Sequence, residues 1–125
     1  MWKRYNPNPT QTARIGDCSV RAIAKALETD WEEAYILLSL NGYIMGDMPN
    51  SNTVINSVLK QNGFKRMDIS NECPDCYTIK EFCKSFSEGR YVVGTGTHVV
   101  AIVNGDFYDS WDSGDEIVAY AWKKE

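Results

Sequence analysis

The chain has 125 residues, 43% of them hydrophobic and 24% charged, the make-up of one globular domain with one core and not of a disordered chain. The formal net charge is -4 and the Lys and Arg residues are scattered, which argues against a nucleic-acid partner. No apolar run approaches the roughly 18 residues of a membrane span, and Met1 to Tyr5 leads into polar Asn6-Pro7-Asn8-Pro9 without a signal-peptide core, so the expected setting is the cytoplasm, away from membranes.

From Tyr5 to Gly16 the chain holds two Pro and two Asn and no apolar periodicity, and it reads as an extended segment or loop. Val20, Ile23 and Leu27 then recur at helical spacing, with Asp17 where an N-cap belongs. Thr29-Asp30-Trp31-Glu32 is a capping box that predicts a second helix over about 30–41, ending at Gly42. After a loop over 43–51, the cluster Asn50-Ser51-Asn52 opens a third helix that runs to Asn62 and stops at Gly63. A second capping box, Thr78-Ile79-Lys80-Glu81, starts a fourth helix ending near Gly89. The period then changes. Tyr91 to Val93 and His98 to Val103 are β-rich, Asn104-Gly105 is a hairpin dipeptide, and Phe107 to Trp111 and Ile117 to Trp122 supply return strands. Helices first and an antiparallel sheet second predict an α+β fold in one domain, residues 1–125, with the helices against one face of the sheet.

Cys18 falls in the first turn of the first helix, where backbone N–H groups and the helix dipole favour a thiolate. Gly16 would let the chain turn tightly into the helix and keep the thiol accessible. By position alone Cys18 is more often a small buried residue. His98, the one histidine of the chain, opens a strand and supplies a base. If Asn104-Gly105 is a two-residue loop, Val103 faces Asp106, His98 lies opposite Trp111, and Asp109 is the diagonal neighbour of His98 on the same face. Asp112 then points to the other face; a loop one residue longer would reverse the two carboxylates. The Asn-Gly dipeptide favours Asp109.

These residues resemble the pieces of a papain-like cysteine peptidase: Gly16-Asp17-Cys18 opening a helix, His98 at the head of a strand, then Asp109-Ser110-Trp111. More closely, the chain resembles small papain-like proteins of phages and gut bacteria along nearly its full length. Asn6-Pro7-Asn8-Pro9, Gly16 to Ala22, Cys73-Pro74-Asp75-Cys76-Tyr77 and Gly105 to Gly114 carry that likeness. The resemblance implies a papain-like fold in a bacterial or phage-encoded protein. It also implies acyl transfer on an amide bond of a peptide or protein substrate, with Cys18 as nucleophile, His98 as base and Asp109 orienting it. Trp111 would cover the pair from water. The oxyanion donors it implies are the Cys18 N–H and an upstream side chain, with Gln11 nearest and Asn8 and Asn6 as rivals. No cofactor is required for that chemistry. The alternative is a papain-like module that has lost catalysis and sequesters a host or phage partner.

Cys73 and Cys76 have the spacing of half a zinc site or a dithiol pair, and Cys83 follows seven residues later. Three thiolates could hold a structural zinc; otherwise the pair forms a tight turn whose cysteines pack or bond to each other. Gly94-Thr95-Gly96-Thr97 lacks the Lys and helix of a phosphate loop and reads as a tight link that aims His98.

Overall fold

The computed structural model describes residues 1–10, 15–70 and 72–125. Its elements, in chain order, are β1 (Trp2–Arg4), α1 (Cys18–Leu27), α2 (Trp31–Met45), α3 (Asn52–Gln61), β2 (Phe64–Met67), α4 (Ile79–Ser85), β3 (Arg90–Gly94), β4 (Val99–Val103), β5 (Asp106–Asp109) and β6 (Tyr120–Lys124). The strands form one sheet in the order β1-β5-β4-β3-β6-β2. The class is α+β, with most helices early and most strands late.

Three expectations need correction. The sheet is mixed, because β1 runs parallel to β5 with Arg4 beside Asp109. β1 is three residues long, two of them exposed charges, so it carries no alternation to read. The helices cover both faces, not one. Val92, Val99, Ala101 and Trp122 pack with α1, α2 and α3, whereas Tyr91, Val93, Val100 and Ile102 pack with Ile79 and Phe82 of α4. β3 and β4 are therefore buried on both sides, which explains their continuous apolar runs. Lastly, α2 does not end at Gly42. It continues to Met45 and is stopped by Gly46 at φ 69°. Gly42 serves packing: a Cβ there would lie 2.8 Å from the Asp47 carbonyl oxygen and 3.2 Å from the Pro49 nitrogen. The helix also starts one residue later than the Thr29 box predicts, with Asp30 accepting the Glu33 N–H at 2.8 Å.

Other boundaries follow local chemistry. Ser51 caps α3 through the Val54 N–H, and Thr78 and Glu81 form the reciprocal box of α4. α4 stops at Ser85, short of Gly89, where Phe86 turns in among Tyr77, Phe82 and Tyr91. The β4–β5 hairpin has the two-residue loop, with Val103 paired to Asp106 and Ala101 to Tyr108. Asn104 and Gly105 take the positive φ values, 48° and 82°, that a primed turn demands.

Candidate active site

Three elements meet at one end of the sheet: the first turn of α1, the turn before β4, and the end of β5. α1 brings Cys18, half-buried, at its first residue. The link from β3 to β4 brings His98. Its turn is closed by the Thr95 N–H donating to the His98 carbonyl at 2.8 Å, and Gly96 takes φ 100° to make it. β5 ends on Asp109, 1% exposed.

Nε2 of His98 lies 2.6 Å from Oδ2 of Asp109. The same imidazole and the Val99 N–H also act on the Cys18 thiol and favour its ionised form. Since Nε2 faces the acid, Nδ1 is the nitrogen left for the thiol. Burial pushes the Cys18 thiol up, but the bond to His98, the Val99 N–H and the charges of His98 and Arg21 outweigh it, so the net shift is down. Burial pulls His98 down. Its bonds to Asp109 and Cys18 and their negative charges reverse this and raise it to about 9. Both directions favour a thiolate–imidazolium pair.

Asp109 is held at every oxygen. Oδ2 accepts from His98 and from Ser113 Oγ at 2.6 Å; Oδ1 accepts from the Ser110 N–H at 2.8 Å and Arg21 Nη2 at 3.1 Å. Burial pushes its carboxyl up, yet the bonds to His98 and Ser113, the His98 charge and the Ser110 N–H bring it below its usual value. Its carbonyl oxygen accepts from Trp2 Nε1 at 3.0 Å and the Tyr5 N–H at 2.8 Å, so β1 braces the acid from behind. The ring of Trp111 stands 5.1 Å from that of His98, over the imidazole.

Arg21 and Ser113 belong to this constellation and were not picked out from the sequence. Arg21 is 6% exposed and bridges two carboxylates, Asp17 and Asp109. Its signal was present: Asp17 and Arg21 are opposite charges one helical turn apart. Ser113 sits in an irregular segment and gave none. Asp17 is also corrected. It occupies the N-cap position, but its side chain makes no cap bond and turns to Arg21, to Trp31 Nε1 at 3.0 Å and to Asn8 Nδ2 at 3.2 Å.

The remaining expected positions divide. Asn8, expected as an oxyanion donor, is 3% exposed and donates its amide to Asp17 instead; its Oδ1 accepts from Thr10. Gln11 lies outside the described residues. Gly16 has no positive φ, so the backbone does not require glycine there, and a Cβ would meet nothing within 4 Å. Asp112 is exposed and accepts the Gly114 N–H at 3.1 Å, closing the turn after β5 and not joining His98.

Cys73, Cys76 and Cys83, expected as possible zinc ligands, are not gathered into one group. Cys73 and Cys76 are joined in a disulfide across the cis Cys73–Pro74 turn, so neither is a thiolate ligand. Cys83 faces the core from α4, and burial raises its thiol to about 11. Among the described residues, no three His, Cys, Asp or Glu side chains are grouped to hold a metal ion. No helix among them is long and apolar enough to cross a membrane. Comparison with protein-family models, curated proteins and solved structures finds no match to this chain.

Proposed function

We propose that the protein is a papain-like thiol hydrolase or acyl transferase acting on an amide bond of a peptide, protein or cell-wall fragment. The observation that carries this reading is the single imidazole bonded at 2.6 Å to a buried, fully bonded carboxylate and acting together with the Cys18 thiol, each favouring the other's charged form. Cys18 is the nucleophile. Its thiolate attacks the carbonyl carbon, the pair of electrons of the C=O moves to oxygen, and the tetrahedral oxyanion is met by N–H groups of the first turn of α1, which have no intrahelical partner. Collapse expels the amine, which takes the proton from His98. Water, or an acceptor amine in a transferase, then gives a proton back to His98 and attacks the thioester, freeing Cys18. Asp109 holds the ring and stabilises the imidazolium. Trp111 limits water at the pair.

Turnover of peptide and peptidoglycan-fragment amides by the wild-type chain should be abolished by Cys18→Ala and by His98→Ala with circular dichroism unchanged. Retained turnover in either variant overturns the assignment.

A second reading is favoured by one observation: the Asn8 amide is engaged by Asp17. A scaffold of this kind without a second oxyanion donor would bind a host or phage partner without cleaving it. It predicts that Cys18 is no more reactive toward a carbonyl acylating probe than an ordinary thiol.

A further inference from the structure

α2 buries only a narrow stripe and turns several large apolar side chains outward. Its inward stripe against α1 and α3 is Ala34, Leu38 and Gly42. Facing outward at helical spacing are Ile36, Leu40, Tyr43 and Ile44, which are 64%, 53%, 85% and 71% exposed. Tyr35 and Met48 extend the patch at 50% and 66%. A helix folded only for this domain would put these side chains inward. At on the order of 200 Å² per large side chain, the patch offers several hundred Å², near the roughly 800 Å² one partner contributes to a stable interface.

The charge around it identifies the partner. Residues 28–59 contain five acids, Glu28, Asp30, Glu32, Glu33 and Asp47, and no Lys, Arg or His. Glu28 is paired with Arg90, which leaves four acids on this side without a cation among the described residues, in a chain whose net charge is -4. Such a field repels an anionic membrane or nucleic acid, and it repels a second copy presenting the same face. It attracts a cation-rich one. The surface also adjoins the Cys18 constellation: Trp31, stacked on Tyr35 at 5.1 Å, donates to Asp17.

We infer that the outer face of α2 is a docking surface for a basic, amphipathic helical segment of another polypeptide, its apolar stripe on Ile36, Leu40, Tyr43 and Ile44 and its Lys or Arg flanks toward Glu32, Glu33 and Asp47. This stands apart from the chemistry at Cys18 and does not depend on it.

The test uses the full chain and two synthetic amphipathic helices of identical leucine pattern, one flanked by Lys, the other by Glu. Fluorescence anisotropy should show the Lys peptide binding at least about tenfold more tightly, with affinity falling as salt rises. Leu40→Asn and Ile44→Asn, both at exposed positions, should each weaken it about tenfold or more with the melting curve unchanged. Light scattering should report a monomer, and vesicles of anionic phospholipid should not retain the protein. Equal binding of both peptides, binding of neither, indifference to Leu40→Asn and Ile44→Asn, a dimer lost on those substitutions, or retention by the vesicles would each overturn the proposal.

Discussion

Arg21 reaches Asp109 from α1 while His98 reaches it from the opposite oxygen, so one buried carboxylate is shared between a permanent cation and a switchable one. Asp109 is thereby kept ionised and fixed in place. The second carboxylate, Asp17, balances the permanent cation.

Removing that cation should be severe. Arg21→Met leaves Asp17 and Asp109 buried without their partner, and denaturant unfolding should show a loss of about 3–5 kcal/mol. The double variant Asp17→Leu/Arg21→Met removes one carboxylate as well and should recover part of that loss. No recovery would mean that the methionine fails for packing reasons instead.

The two free thiols should separate widely in reactivity. Cys18 is shifted down, and Cys83 is shifted up to about 11, where the thiolate fraction at pH 7 is on the order of 10⁻⁴. Iodoacetamide at pH 6 should label Cys18 at least about 100-fold faster than Cys83 in the native protein. In His98→Ala the rate profile of Cys18 should move to higher pH. Similar rates for both thiols in the wild type would contradict the ion pair.

Stability against pH should change shape when the thiol is removed. His98, raised to about 9 from an ordinary 6.5, contributes stability that is complete below about 6.5 and lost as pH rises through its folded value. Cys18, shifted down, contributes stability present above its ordinary value and lost as pH falls through its folded one. Between those limits the two oppose each other, and the wild type should change less with pH than the His98 contribution alone would make it. Cys18→Ala leaves only the His98 contribution, so its stability should decline above pH 6.5, by on the order of 1–2 kcal/mol. A flat profile in this variant would show that His98 is not held protonated.

Gly42→Ala should destabilise although alanine is the better helix former by about 1 kcal/mol. The new Cβ would meet backbone atoms of Asp47 and Pro49 that cannot swing away. A net loss of about 1–3 kcal/mol is expected by thermal unfolding. Gly16→Ala, with open space around it, should leave stability within about 0.5 kcal/mol of the wild type.

Non-reducing peptide mapping should recover Cys73 and Cys76 in one fragment lighter by a pair of hydrogens, with Cys18 and Cys83 alkylatable after unfolding. Four alkylated cysteines without prior reduction would refute the bond.

What the sequence made legible was local. Asn104-Gly105 set the hairpin register, and that register alone put Asp109 diagonal to His98, which is where the bond lies. Ser51 and Thr78 marked their helices because capping depends on neighbours three residues away. What stayed hidden depended on distant partners. β1 is a strand only because β5 is beside it, and one of the two carboxylates that Arg21 bridges, Asp109, arrives from 88 residues away. Gly42 misled for the same reason: its role is set by the returning loop and not by its own helix. Cys73 and Cys76 left bonding, ligation and packing open, since spacing is common to all three.

Two of the upward pulls on His98 come from Cys18, its hydrogen bond and its charge. In the reaction proposed here, both vanish as the sulfur forms its bond to carbon. The imidazolium then becomes a stronger acid at the moment an amine must depart, so the departing group receives its proton from a ring that the same step has just made readier to release it.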